Sequence, residues 1–173
     1  AICAVEYPEA VLQRNQAYTG RMAGMDVGCS SLAVTSDEDY IDNPRNLKQA
    51  REKLTAAQKA LSRKTRGSKR RAKARLKVSA LHGQVARKRK DFLHQLSAAI
   101  VFLYSVVAVE KLLLSNMTRS ARGTVEKPGR NVKQKAGLNR SLLDASIGAL
   151  FSLIAYKAEE AGCRFEKVTA WNT

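Results

Sequence analysis

Acidic residues are few in this 173-residue sequence: 15 Asp and Glu stand against 31 Lys and Arg, a formal net charge of +16. That imbalance excludes a neutral metabolic enzyme by composition and calls for an anionic partner. Cysteine is rare too, and Cys3, Cys29 and Cys163 lie far apart with no close pair. Such spacing fits neither a disulfide framework nor a zinc knuckle, and it leaves a reducing cytoplasm as the expected compartment. Cys29 has no His base nearby in sequence, which argues against a thiol nucleophile, and no GxxxxGKS loop is present to support an ATPase. The two histidines, His82 and His94, fall on or near a helix and read as core-edge residues rather than ligands. No basic-then-apolar leader opens the sequence. One run, Phe92 to Val109, is uncharged for 18 residues and meets the lower limit for a membrane span. It contains His94, Gln95, Ser97 and Ser105 and ends in β-branched Val106-Val107-Ala108-Val109, so a buried helix passing into a buried strand is expected instead, with no membrane as partner.

Hydrophobic residues make up 45% of the chain, enough for one sizeable core, and the length suits one domain or a fragment of a longer protein. Charge is concentrated. Between Arg45 and Lys90 there are 18 Lys and Arg and a single acid, Glu52, while the remainder is close to neutral. Within that window Leu47, Ala50, Leu54, Ala57 and Leu61 repeat at helical spacing, predicting a helix from about Pro44 to Ser62. Thr65-Arg66-Gly67-Ser68 reads as a turn, and Val78, Leu81, Val85, Phe92, Leu96, Ala99 and Leu103 continue a second helical stripe. A basic helical hairpin over about 44–104 is the expectation.

Before the hairpin, Met22 to Gly28 and Leu32 to Thr35 read as two strands about a Gly28-Cys29-Ser30 turn, with a short third at Tyr40-Ile41. After it, Val106 to Val109 is a strand, and Ser115 to Gly137 reads as a loop, mobile or ordered by a ligand. Ser141-Leu142-Leu143-Asp144 has the form of a capping box opening a helix to about Ala161, stopped by Gly162. Arg164 to Ala170 makes a last strand, and Ala1 to Glu6 a further one belonging to something upstream. The order β-β-β-α(α)-β-α-β predicts an α/β fold with a mixed sheet covered by helices.

Two acids stand out. Asp26 lies between Met25 and Val27 in the middle of an apolar strand, and Glu110 ends the apolar strand at Val106 to Val109. Carboxylates so placed are expensive unless they are paired, hydrogen-bonded or holding a metal, and acids on two strands are what metal-assisted phosphodiester hydrolysis requires. An equally available reading has Glu110 as an exposed strand end beside Lys111 and Asp26 capping the turn through Gly28. Asp144 is the other acid positioned to help, although its spacing from Ser141 suits a helix cap better.

Several motifs in order carry a resemblance: Gly24-Met25-Asp26-Val27-Gly28, Leu32-Ala33-Val34-Thr35-Ser36-Asp37, Asp42-Asn43-Pro44-Arg45, Leu61-Ser62-Arg63-Lys64 through Gly67-Ser68, Arg89-Lys90-Asp91-Phe92-Leu93-His94, Ala108-Val109-Glu110-Lys111-Leu112 and Leu142-Leu143-Asp144-Ala145. Together, over about residues 21–173, they resemble the RuvC-like nuclease of TnpB (OrfB-type transposon) proteins, relatives of type V CRISPR effectors. The resemblance implies an RNase H-like fold and an RNA-guided DNA endonuclease with a two-metal Mg²⁺ or Mn²⁺ site, leaving 5′-phosphate and 3′-hydroxyl ends. Asp26 would bridge both ions and Glu110 would hold one. DNA and a guide RNA would be the partners, in a bacterial or archaeal cytoplasm at the nucleoid. It further implies a zinc-binding Cys-x-x-Cys insertion and a third acid after the last strand, beyond Thr173, so residues 1–20 read as the end of an upstream domain or linker and 21–173 as a RuvC-like domain truncated before those parts. Two carboxylates alone bind Mg²⁺ weakly, and poor or no nuclease activity is expected of these residues by themselves.

The cationic residues point to phosphate. A solvated helix face normally interleaves both signs, and this one does not. The expected contacts are Arg63, Lys64, Arg66, Lys69, Arg70, Arg71, Lys73 and Arg75 around the hairpin turn, with Arg119, Arg122, Lys127, Arg130, Lys133 and Lys135 in the later loop. Aromatics are 6% of residues and mostly at core spacing, which favours backbone recognition of a duplex or heteroduplex over base stacking. Two alternatives stand beside the nuclease: a nuclease-deficient protein that holds DNA or an RNA–DNA heteroduplex, and a basic scaffold for structural RNA. The last requires Asp26 and Glu110 to lie far apart.

Overall fold

A computed structural model describes residues 20–169. The strand expected over Ala1 to Glu6 lies outside them, as does Ala170. Three strands open the described chain: β1 (Met22–Val27), β2 (Ser31–Thr35) and β3 (Tyr40–Asp42). Helices α1 (Asn46–Ser62) and α2 (Lys69–Leu103) follow, then β4 (Val106–Glu110), a single turn α3 (Leu114–Met117), α4 (Val132–Ala145), α5 (Ile147–Ala161) and β5 (Arg164–Val168).

The strands form one mixed sheet in the order β3-β2-β1-β4-β5. Tight turns allow β1, β2 and β3 to pair antiparallel, while β4 and β5 join parallel after long helical crossovers, as parallel pairing requires. This is the expected RNase H-like fold with a helical hairpin inserted between β3 and β4.

Alternation decides what each strand buries. Ala23 and Met25 of β1 and Val107 and Val109 of β4 are buried, whereas Met22, Gly24 and Asp26 are exposed. The core gathers these side chains with Leu32, Ile100, Leu150, Phe151, Ile154 and Ala158, each fully buried Leu, Ile or Phe contributing about 1.5–3 kcal/mol. Phe151 of α5 meets Phe165 of β5 with ring centroids 6.1 Å apart. The Phe92 to Val109 run passes from α2 into β4, as expected. By length and composition, 132–161 is the one helical stretch among the described residues that could cross a membrane; it is divided at Ser146, and Leu142, Ala145, Ile147, Leu150, Phe151, Ile154 and Ala158 are buried within the fold.

The hairpin Pro44–Leu93 is a compact unit of its own; the other unit holds the sheet, the helices after β4 and α2 from His94 onward. In the hairpin, Leu54, Ala57 and Val85 are buried, on the predicted stripes. Further along α2 the phase differs from prediction: Leu93, Ser97 and Ile100 are buried, while Ala99 and Leu103 are exposed. The buried stripe is shifted by one residue and includes Ser97, a polar side chain that the sequence pattern alone would not place inside; it is fully buried, with Lys157 Nζ donating to its Oγ at 2.8 Å.

Two further corrections concern α4. The helix begins at Val132, so the predicted loop ends earlier than Gly137, and the expected capping box does not open it. Ser141 lies inside the helix with its Oγ donating to Gly137 O at 3.3 Å, and Asp144 sits in the last turn, so neither is a cap. The break comes instead at Ser146, in the left-handed region (φ 53°), whose N–H donates to Leu142 O. Gly162 (φ 71°) ends α5 as predicted.

Candidate active site and nucleic-acid interface

Strand register brings the two expected acids together. In the parallel β1–β4 pair, Met22 faces Val106, Ala23 faces Val107, Gly24 faces Ala108 and Met25 faces Val109. Asp26 and Glu110 are the next residue on each strand. Successive side chains alternate between faces, so both carboxylates project from the face opposite Met25 and Val109, at the C-terminal ends of neighbouring strands about 4.8 Å apart. The structural-RNA scaffold, which needs the acids far apart, fails on this register. Asp26 does not cap the Gly28 turn either: Gly28 N–H donates to Leu32 O, and Asp26 is paired in the sheet opposite Val34.

Both acids are exposed, and among the described residues neither carboxylate has a hydrogen-bonding or ion-pairing partner. Two unpartnered like charges on adjacent strands repel at a cost that a cation between them would relieve. Their oxygens are hard donors on rigid strands, as Mg²⁺ or Mn²⁺ prefers. Space is available as well, since a Cβ built on Gly24, two residues before Asp26, meets no atom within 4 Å. The donor set therefore fits a hydrated divalent cation. No group of three metal-ligating side chains occurs among the described residues. Glu166, opposite Ala108 on the same face, is engaged by Arg164, and Asp144 is half-buried.

The predicted phosphate contacts fall into two groups. Around the hairpin turn Arg63, Lys64, Arg66, Lys69, Arg70, Lys73 and Arg75 are exposed. Arg71 is half-buried, and its Nη1 donates to Leu61 O (3.2 Å) and Lys64 O (3.0 Å), satisfying carbonyls at the end of α1 and fixing the turn. In the sheet unit Arg119, Arg122, Lys127, Arg130 and Lys133 are exposed, whereas Lys135 donates to Met117 O at 2.6 Å. Lys135 thus fastens α4 to α3, with Asn139 Nδ2 donating to Thr118 O at 2.8 Å.

Sequence reasoning missed two polar knots. Tyr104, buried after α2, donates to Asp37 Oδ2 at 3.2 Å, and Arg21 pairs with the same oxygen at 2.7 Å while lying over the Tyr104 ring. Burial, chiefly, pushes the Tyr104 hydroxyl above its usual range. Lys157 Nζ reaches both His94 O and Ser97 Oγ, and burial holds its ammonium below the usual lysine range. Both knots join residues more than 50 positions apart, so no local signal could have found them.

Residues 3–121 match the OrfB/IS605 family, described as "Probable transposase". Among curated proteins the chain is similar to the "Putative RNA-guided DNA endonuclease InsQ" of Escherichia coli, with 38% identity over 79% of this chain and 34% of that protein. A "Putative RNA-guided DNA endonuclease" of Streptomyces pristinaespiralis is 31% identical over 88% of this chain and 34% of its own length. One of the same description from Mycobacterium tuberculosis is 29% identical over 92% of this chain. The chain spans about a third of the length of these relatives. With the match extending from before β1 through β4 and its carboxylate, the chain belongs to the OrfB/IS605 family of transposon-encoded proteins, the TnpB family.

Proposed function

We propose that this chain is the RuvC-like part of a transposon-encoded, RNA-guided DNA endonuclease acting on nucleoid DNA in a bacterial cytoplasm. The observation that carries the reading is the register that sets Asp26 and Glu110 side by side at the exposed ends of β1 and β4. In this role the two carboxylates hold Mg²⁺ or Mn²⁺. When bound, the cation supplies charge stabilisation at the phosphate and lowers the pKa of a coordinated water. The rigid parallel strands fix the spacing and direction of the carboxylate oxygens, and the bare backbone at Gly24 leaves room for a sugar-phosphate chain beside them. Exposed Lys and Arg of the hairpin turn and of the segment after α3 hold DNA and guide RNA through their backbones.

A second reading, a nuclease-deficient protein that binds DNA or a heteroduplex, is favoured by the absence of a third ligating side chain beside the pair among the described residues. Both readings are tested by assaying Mg²⁺-dependent cleavage and DNA binding of the protein and of its Asp26→Ala and Glu110→Ala variants. The nuclease reading expects cleavage to fall on the order of a hundredfold in each variant with binding retained. Equal, cleavage-free binding by all three proteins would establish the alternative.

A further inference from the structure

The segment after α3 is more than a basic loop. Gly123 and Pro128 form an antiparallel bridge, Gly129 N–H donates to Arg122 O at 2.8 Å, and Thr124 N–H donates to Lys127 O at 3.0 Å. The Lys127 N–H in turn donates to Thr124 Oγ1 at 3.0 Å. Two glycines make this closure possible. A Cβ at Gly123, where φ is +68°, would lie 2.2 Å from Lys127 O, and one at Gly129 would lie 1.5 Å from Ala121 O. The result is a tight finger, a hairpin turn closed by a single β-bridge, and the chain leading into it is held at Met117 and Thr118 by Lys135 and Asn139.

Charge along the finger has an order. Arg119 and Arg122 flank one side, Lys127 and Arg130 the other, and the tip between them is Val125-Glu126. Val125 is fully exposed, at 101%. A single exposed valine needs no explanation by itself. Here, however, it shares the tip with an acid, and a carboxylate is repelled by phosphate, whereas the cationic flanks are drawn to it. The tip consequently suits base edges and the flanks suit the two backbones on either side. The major groove of B-form DNA is wide enough for a two-stranded β-ribbon and hence for a hairpin turn of this width, and in it a thymine methyl offers an apolar contact and a cytosine amino group donates to a carboxylate. The major groove of an A-form helix is too deep and narrow to admit it.

We infer that the finger 121–130 enters the major groove of duplex DNA tip first, with Val125 against thymine methyl groups and Glu126 toward cytosine amino groups. This rests on the phosphate-binding reading of the basic residues given above. The test measures salt-titrated binding of the chain and of Val125→Ala to three probes: a mixed-sequence DNA duplex, the same duplex with deoxyuridine for every thymidine, and an RNA duplex. The chain is expected to bind the thymine duplex about fourfold more tightly than the uracil duplex, the worth of one buried methyl group. Val125→Ala should bind both at the weaker level with an unchanged salt slope, and the RNA duplex should show no dependence on residue 125. Salt-dependent DNA binding without thymine discrimination, or discrimination that survives Val125→Ala, overturns the finger's role while leaving the phosphate reading intact. No salt-dependent binding to any probe overturns both. Because Val125 touches solvent alone, its replacement leaves the fold in place, and circular dichroism provides the control.

Discussion

Between Arg45 and Lys90 eighteen cationic side chains accompany one acid, whereas β1 and β4 set two acids side by side with no cation bonded to either among the described residues. The two regions meet charge with different physics. Along the hairpin, repulsion is spread over many exposed ammonium and guanidinium groups, and attraction to a polyanion depends on their number more than on their exact orientation. At the sheet the repulsion is confined to one pair, and its use depends on oxygen positions fixed by register. Binding strength is thus the property of a composition, while chemistry is the property of a geometry.

The largest effect that would break this comparison is salt. If six to ten of the hairpin-turn and finger cations meet phosphate, affinity for duplex DNA should fall by roughly 10³–10⁵ between 50 and 200 mM salt, measured by anisotropy. A flat profile would remove the polyanion from the account of the hairpin. The sheet is sharpened by Gly24→Val. Its Cβ meets nothing within 4 Å, so thermal stability should hold or rise slightly with the better strand former, while under the proposed nuclease role Mg²⁺-dependent cleavage should fall on the order of a hundredfold as substrate is displaced. Unchanged cleavage would show that nothing approaches the sheet at that point.

The smallest effect concerns the knot at the other end of the sheet. Tyr104→Phe removes the hydroxyl that donates to Asp37 and should cost about 1 kcal/mol in urea unfolding at neutral pH. The sign of its pH dependence follows from the raised hydroxyl pKa. Below the ordinary tyrosine value of 10.0 the contribution is fully present, and it is lost as pH rises from there through the higher folded value, because the unfolded chain gives up its proton first. The wild-type protein should therefore lose stability above pH 10 more steeply than Tyr104→Phe. Parallel curves would mean that burial does not oppose the phenolate.

Much of the fold was legible because its signals are local. The stripe Leu47-Leu54-Ala57-Leu61, the turn at Gly67 and the β-branched run at Val106 each declare an element within a few residues. The start of α4 carries one sequence mark, Asn131 just before Val132, but it was outweighed because no acid occupies the first turn, and in the structure Asn131 takes the left-handed conformation (φ 54°) and makes no side-chain cap. The break at Ser146 was hidden, since a serine with positive φ replaces the expected glycine. Of the site, Asp26 and Glu110 could be singled out as costly residues in apolar strands, but their neighbourhood could not be read from spacing. Among the cations, sequence alone could not separate Arg71 and Lys135, which bond to carbonyls, from exposed neighbours of the same type.

By itself the sequence determined the excess of positive charge, the helical hairpin that carries it, and the apolar strands in which two acids are embedded, because composition and period act over a few residues at a time. Only the tertiary structure decided which strands adjoin, since parallel pairing joins segments some 80 residues apart and turns on burial of Ala23, Met25, Val107 and Val109 in one core. That shared burial fixes the register, and the register leaves Asp26 and Glu110 together on the open face.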